Sequence, residues 1–200
     1  MLNITTHITL SRVSLRHIRL LKNTQKGNFT QTSWVKIHKS VKNEISKKLF
    51  ANQGLKCAFC ERYLIGLGHE IEHFAHKGIY PQFTFTAENL FYSCKLCNSS
   101  ERKGQKNTIN ILSPLYHQST FAIVHPYFQD PNVEILFTDN DRIFFNRANS
   151  TQLGNNTIDF FRWDDLLYTT IRSRTLIYER LNPLTTLEEK QLIQLAIAYK

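Results

Sequence analysis

Two closely spaced cysteine pairs constrain this chain more than any other feature. Cys57 and Cys60 form the first pair, Cys94 and Cys97 form the second, and the chain contains no other cysteine. A two-residue spacer lets both thiolates of a pair reach one ion, and four thiolates satisfy a tetrahedral zinc at about 2.3 Å each. The sequence therefore predicts one zinc site that closes a loop of 33 residues. Because four protein ligands leave no open position, we expect this zinc to be structural.

The sequence also indicates the compartment in which the cysteines act. No apolar run approaches the roughly 18 residues that argue for a membrane span. The N-terminus lacks the apolar region and small-residue cleavage site of a secretory signal. We therefore expect a cytoplasmic protein with no membrane partner, in which paired cysteines favour metal over disulfides. The alternatives are a thioredoxin-like redox pair, whose chemistry does not need two copies of the motif, and cysteines that are merely buried.

Positive charge is concentrated in the half of the chain that carries the cysteines. Residues 1–110 contain 17 Lys/Arg and 6 Asp/Glu, a balance of +11, and residues 111–200 contain 8 and 10, a balance of −2, which together give +9. Such asymmetry predicts a surface for a polyanion such as nucleic acid. A solvated basic face is the alternative, and charge does not distinguish DNA from RNA.

The N-terminal quarter predicts an arm followed by a helix. Residues 1–31 are polar and poorly periodic, which indicates an extended arm. From Ser33 to Gly54, apolar residues recur at helical spacing and predict one amphipathic helix of about five turns. Its lysines lie mostly off the apolar stripe, either as a solvated face or as phosphate contacts; they are Lys36, Lys39, Lys42, Lys47 and Lys48.

The C-terminal half predicts mixed α and β structure without a chemical motif of its own. Residues 133–138 and 142–146 indicate a β-hairpin, and residues 157–181 indicate a helix that breaks near Trp163. A capping box beginning at Thr186 opens a last helix. Arg172 and Arg174 lie on the predicted 157–181 helix and either face the substrate or lie on a solvated face, which is the simpler interpretation.

These patterns together predict an α+β protein in three parts that form one compact unit. Residues 1–54 are the arm and basic helix, residues 55–110 are the cysteine-bearing core, and residues 111–200 are an α/β extension.

Inside the cysteine loop, Glu70, Ile71 and Glu72 are predicted to form a short strand. On a strand Glu70 and Glu72 share one face, and His73 points to the other unless the strand bends.

The stretch between and beside the cysteines resembles a known family. The sequence Glu-Ile-Glu-His-Phe (70–74), the Asn89-Leu90 pair and the Asn98 that follows the second cysteine pair are similar to the HNH endonuclease superfamily, whose core is the ββα-metal fold. More narrowly, with Tyr80-Pro81, they resemble HNH nucleases that act with an ATPase in Septu and retron-associated anti-phage systems. The resemblance covers about residues 55–105.

The resemblance implies a role for each matching residue. His73 would be the general base that takes a proton from water, a task suited to an imidazole that is largely neutral near pH 7. Glu72 and Asn98 would hold a divalent ion, Mg²⁺ or Mn²⁺, and Asn89 would brace the loop and orient the base. The implied reaction is hydrolysis of a phosphodiester bond.

The same resemblance implies partners. The substrate would be nucleic acid, with DNA as the default and a structured RNA such as tRNA as the alternative. An ATPase subunit of a defence complex would accompany the chain, together with a retron reverse transcriptase and its msDNA in the retron-associated relatives. A zinc-knuckle module that binds nucleic acid without catalysis is the competing function.

The sequence departs from the family pattern at two positions. His76 stands where relatives commonly have proline, and it is an extra phosphate contact, a rival ligand or an exposed side chain. Lys103 lies five residues beyond Asn98 instead of three. Glu70 competes with Glu72 for the metal, and Asn98 has helix capping as an alternative role.

Overall fold

A computed structural model of the protein describes residues 1–64 and 68–181. The described chain is α+β, with two small antiparallel sheets, β1–β2 and β3–β4, among short helices. No helix in these two ranges has the length and apolar character needed to cross a bilayer. The elements, in chain order, are α1 Arg12–Thr24, α2 Ser33–Lys36, α3 Lys39–Gln53, β1 His69–His73, β2 Leu90–Cys94, α4 Lys95–Asn98, β3 Ile109–Ile111, β4 Thr120–Phe121, α5 Pro131–Glu134, α6 Gln152–Phe161 and α7 Leu166–Leu181.

The predicted strand inside the cysteine loop is present as β1 and pairs antiparallel with β2. The register runs from His69 opposite Cys94 to His73 opposite Leu90. Every residue of β2 is buried, whereas the first two residues of β1, its neighbour in the sheet, are exposed. α4 begins directly after β2, and the amide of Cys97 donates to the Cys94 sulfur at 3.4 Å, which caps its first turn.

The prediction of an extended arm over residues 1–31 is correct only for its first part. Residues 1–10 are not helical, and their Ile4 and Ile8 side chains are buried. Residues 12–24 form α1, which begins at the cap Ser11. Val13, Leu15 and Leu20 of α1 are exposed, so its apolar residues do not mark its buried side, although its arginines recur at helical spacing.

The predicted helix from Ser33 to Gly54 is two helices. Ile37 adopts an extended backbone (φ −64°, ψ 148°) and ends α2, and the His38 ring then accepts from the Ser40 amide to start α3. The apolar stripe is confirmed for its central positions, Val41 among them, which are fully buried. Gly54 ends α3 in the left-handed conformation (φ 57°), as predicted.

The predicted hairpin at 133–146 is wrong at its start. Asp130 caps α5 and Pro131 occupies its first turn, so the segment to Glu134 is helical. The remainder is a narrow ribbon with one isolated bridge between Phe137 and Phe145. Two backbone hydrogen bonds, from Thr138 to Phe144 (2.9 Å) and from Asn146 to Leu136 (2.8 Å), join its two arms, and the Phe137 and Phe145 rings pack with their centroids 4.7 Å apart.

The predicted break near Trp163 is confirmed, because α6 ends at Phe161 and α7 begins at Leu166. Arg162 takes the left-handed conformation (φ 51°) between them. α6 begins at Gln152, five residues earlier than predicted. The last predicted helix, which opens at Thr186, lies outside the described residues.

Candidate metal centre and adjoining cleft

The four cysteines converge as their spacing predicts. Their sulfur atoms all lie within 4.8 Å of one another, and the Cys60 and Cys94 sulfurs are 3.7 Å apart. A tetrahedron with metal–sulfur bonds of about 2.3 Å has edges of roughly 3.8 Å. The cluster can therefore hold a metal ion such as zinc, and four protein sulfurs would complete its coordination.

Donors around the sulfurs suit Cys60 and Cys94 to carry negative charge, whereas burial raises the pKa of the Cys57 and Cys97 thiols. The Arg62 side chain donates from Nε to the Cys60 sulfur at 3.5 Å and from Nη2 to the Cys94 sulfur at 3.6 Å, and the Cys94 amide donates to the Cys57 sulfur at 3.4 Å. Hydrogen bonds from the other thiols of the cluster lower the pKa of Cys94, and those from Cys57 lower the pKa of Cys60 to about 7. A thiolate is the form that binds metal.

The C-terminal helices pack against this cluster. The Tyr168 hydroxyl on α7 lies 3.2 Å from the Cys97 sulfur. Arg102 donates to the carbonyl oxygens of Phe161 and Arg162, both at 3.1 Å, and to the Asp165 carboxylate at 2.6 Å. Residues 99–106 are thereby fixed between the cysteine cluster and the corner between α6 and α7.

Glu72, on one face of β1, forms an ion pair with Lys103. The ammonium of Lys103 donates to Glu72 Oε1 at 2.5 Å, and no part of the lysine side chain reaches solvent. The segment after α4 turns back so that the Lys103 amide donates to the Cys97 carbonyl at 3.1 Å, with Gly104 left-handed beyond it (φ 45°). Burial lowers the pKa of Lys103, and Glu72 opposes that effect.

Glu70 and Asn98 form a second pair on the same face. Asn98 Nδ2 donates to Glu70 Oε2 at 2.6 Å, which leaves the Asn98 side-chain oxygen as an acceptor. Helix capping by Asn98 is wrong, since it is the last residue of α4 and Cys94 is the N-cap. An amide oxygen and two carboxylates are the ligand types that Mg²⁺ prefers.

His73 points away from both pairs, as expected for the next residue of a strand. Its Nε2 lies 3.1 Å from the Thr84 carbonyl oxygen, and the Trp34 ring lies edge-on with its centroid 4.8 Å from the imidazole centroid. Only 1% of His73 is exposed. Burial, together with the charges of Lys77 and Lys103, lowers the pKa of His73 well below 6.5, so the ring is neutral at pH 7.

Asn89 is buried and braces the chain beside His73. Its side-chain oxygen accepts from the Ala75 amide at 2.6 Å and from the Tyr116 hydroxyl at 2.9 Å, and its Nδ2 donates to the carbonyls of Ala75 (3.1 Å) and Phe83 (3.0 Å). The Tyr116 hydroxyl also contacts His125 Nε2 at 3.0 Å. Three of the four hydrogen bonds of the Asn89 amide are thus made with the segment that follows β1, at Ala75 and Phe83.

An open cleft borders the Glu72 face of β1. Glu72 and Asn98 line it together with His76, Lys77 and Lys106. His76 is half-buried and its Nδ1 accepts from the Gly78 amide at 3.2 Å. The cleft therefore combines the oxygen ligands of β1 and α4 with two lysines, and His73 is not among its lining residues.

The sequence missed the residues that position the site. The spacing of Lys103 from Asn98 is its one signal in the sequence, and that spacing does not indicate the ion pair with Glu72. Tyr116 and His125 lie outside the motif region and were not identified as partners of Asn89. Arg172 is not a solvated residue, since it donates to the carbonyls of Ile143 (2.9 Å) and Trp163 (2.6 Å).

Comparison with known proteins gives one distant likeness. No protein-family model matches the chain. The chain is similar to protein ea31 of Escherichia phage lambda, at 32% identity over 111 residues, which is 50% of this chain and 33% of that protein. The match therefore spans about a third of the length of the curated relative, and at that coverage it assigns neither a family nor an activity.

Proposed function

We propose that this protein is a metal-dependent endonuclease of the HNH superfamily that hydrolyses phosphodiester bonds in nucleic acid. The observation that carries the proposal is the cleft in which Glu72 and Asn98 border the same space as Lys77 and Lys106. β1, β2 and α4 follow one another as strand, strand and helix, the order of a ββα-metal core. The cysteine cluster would hold a structural zinc beside them.

The side chains on the Glu72 face of β1 suit a hard divalent cation. The Glu72 carboxylate and the free side-chain oxygen of Asn98 would be its protein ligands, with Glu70 close behind as the partner of Asn98. Bound Mg²⁺ or Mn²⁺ would supply positive charge for the scissile phosphate and its leaving 3′ oxygen. Lys77 and Lys106 would bind the flanking phosphates.

His73 is the proposed general base, and its hydrogen bond identifies the atom. The Thr84 carbonyl can only accept, so Nε2 of the neutral ring carries the proton and Nδ1 carries the lone pair. Nδ1 is buried and has no hydrogen-bond partner within the described residues. A neutral imidazole with an unengaged lone pair is competent to take a proton from water. The ring lies on the face of β1 opposite the Glu72 cleft, so in this proposal the end of β1 must turn to bring Nδ1 to a water beside the metal and the scissile phosphate.

A zinc-knuckle module that binds nucleic acid without catalysis is the second candidate. The ion pair between Lys103 and Glu72 favours it, because a carboxylate that is already neutralised needs no metal. The burial of His73 favours it as well. A titration with Mn²⁺ separates the two functions, since a pure binder has the zinc and no weaker second site that depends on Glu72.

The biological setting is proposed on the resemblance alone. We propose that the protein is the effector of an ATPase-coupled anti-phage system, with a reverse transcriptase and its msDNA as further partners in a retron-type assembly. Purified protein, with and without a co-purifying ATPase, should be incubated with plasmid, single-stranded DNA and total RNA in Mg²⁺. Cleavage that Glu72→Gln abolishes supports the proposal, and no cleavage of any substrate in either preparation contradicts it.

A further inference from the structure

We propose that α1 and the aromatic side chains beside it form a binding surface for a single strand of nucleic acid. This surface is distinct from the Glu72 cleft and consists of Arg12, Arg16, Arg19, Lys22 and Phe29, with Phe85 and Trp34 continuing it. It rests on the proposed function only for the class of substrate.

α1 and the residues that flank it in the sequence carry only positive charge. Residues 1–43 contain eight Lys/Arg and no Asp or Glu. Arg12, Arg16 and Arg19 follow one another at i, i+4 and i+7, so they lie on one face of the helix. All three are exposed, and none makes a hydrogen bond or ion pair with a described residue. A row of unpaired guanidinium groups is suited to phosphates, which they bind as bidentate donors.

The carboxylate that contacts the start of α1 is already engaged and pairs with none of the three arginines. Glu44 on α3 accepts from the Ser11 amide at 2.7 Å, from the Ser14 hydroxyl at 2.5 Å and from Lys48 at 2.9 Å. These bonds attach the start of α1 to α3 and turn the buried side of α1, which includes Ser14, inward. The arginine face is consequently held outward by a fixed helix.

Half-buried aromatic rings lie beside α1, and lysine ammonium groups lie over two of them. The Lys22 ammonium lies 5.7 Å from the centroid of Phe29, and that of Lys42 lies 5.6 Å from the centroid of Trp34. Phe29 and Phe85 are in contact, with centroids 5.0 Å apart. Proteins that bind single strands combine cations that follow the backbone with rings on which bases stack.

These aromatic rings are in contact with one another and, through Trp34, with His73. The centroids of Phe85 and Trp34 are 5.9 Å apart, and those of Trp34 and His73 are 4.8 Å apart. A continuous series of contacts therefore joins the last turn of α1, through Phe29 and Phe85, to the proposed base. A strand bound along α1 would arrive on the His73 side of β1.

Equilibrium binding of a fluorescent oligothymidylate of about 20 nucleotides, without Mg²⁺, tests this surface. We expect the triple variant Arg12→Ala, Arg16→Ala, Arg19→Ala to bind at least tenfold more weakly at low salt. Each phosphate contact contributes about 0.7 to the slope of log affinity against log salt for a single strand, so the slope should fall by roughly 2. Phe29→Leu, which keeps an apolar side chain, should weaken binding roughly fivefold or more through lost stacking.

A charge-matched control separates this surface from the net charge of the protein. The control carries Arg162→Gly, Arg174→Ala and Arg180→Ala, which remove three charges from the α6–α7 region, and it should bind like the wild type. An α1 variant with unchanged affinity and slope overturns the proposal. Equal losses in both triple variants also overturn it. Because cleavage is not measured, an inactive wild-type enzyme would contradict the proposed function and leave this result intact.

Discussion

The ammonium of Lys103 lies 2.5 Å from the carboxylate of Glu72, and both side chains are buried. The lysine thus supplies at Glu72 the positive charge that a divalent ion would otherwise supply. A buried carboxylate that loses its only cation is strongly destabilising, typically by about 3–5 kcal/mol. A metal ion bound at Glu72 as proposed would therefore compete with Lys103 for this carboxylate.

Lys103→Met should lower the free energy of unfolding by about 3 kcal/mol in the absence of divalent ions. Millimolar Mn²⁺ should restore much of this loss, since an ion that binds the folded state stabilises it. Thermal melts of the zinc-loaded protein with and without Mn²⁺ measure both effects. The matched control is Lys106→Met, on an exposed lysine of the same cleft, which should change neither. A Lys103→Met melt that Mn²⁺ does not shift would contradict competition at Glu72.

The cysteine cluster should contain one zinc per chain and be required for folding. Its four sulfurs are mutually close, and Tyr168 on α7 contacts Cys97, so loss of the ion should also loosen α7. We expect Cys97→Ser to lose the zinc, measured by elemental analysis, together with the near-ultraviolet circular dichroism of the core. Tyr168→Phe, the control, should retain both. Full zinc content in Cys97→Ser would refute a four-cysteine site.

Asn89→Ala should be among the most destabilising single substitutions in the core. It removes a side chain that makes four hydrogen bonds and leaves the buried Ala75 amide without a partner. We expect a loss of about 3 kcal/mol or more in urea unfolding. Tyr116→Phe removes only one of these bonds and should cost about 1 kcal/mol. Equal losses in the two variants would show that Asn89 does not brace this segment.

His125 should make stability depend on pH. It is fully buried, and burial lowers its pKa well below 6.5. Below about pH 6.5 the unfolded chain binds a proton that the folded His125 does not, so the free energy of unfolding falls as pH drops. Relative to His125→Phe, the wild type should lose up to about 1.4 kcal/mol per pH unit between pH 6.5 and 5.5. Parallel curves for the two proteins would contradict this.

The local rules of the sequence predicted the cysteine cluster, β1, the helical stripe of α3 and the break near Trp163. Each depends on neighbours within a few residues or on the strong tendency of thiolates to share one ion. The positions of Glu72 and His73 on opposite faces of β1 follow from the two-residue period of a strand. Such features can be predicted because they need little information from distant parts of the chain.

The remainder depends on contacts that no local pattern encodes. α1 was missed because Val13, Leu15 and Leu20 are exposed and obscure its buried face. The Lys103–Glu72 pair spans 31 residues and results from the turn after α4. The network of Asn89, Tyr116 and His125 likewise forms only when the segment that contains β4 packs against β2.

The central claim, that His73 is the base of a metal-dependent nuclease, is tested most directly by plasmid nicking in Mg²⁺ or Mn²⁺. We predict that zinc-loaded wild-type protein nicks the plasmid and that His73→Ala lowers the rate by at least a hundredfold. His73→Ala should retain the zinc, and His76→Ala, the control from the adjoining cleft, should retain most of the rate. Wild-type nicking that survives in His73→Ala would contradict the claim, as would a folded, metal-loaded wild type that cleaves nothing.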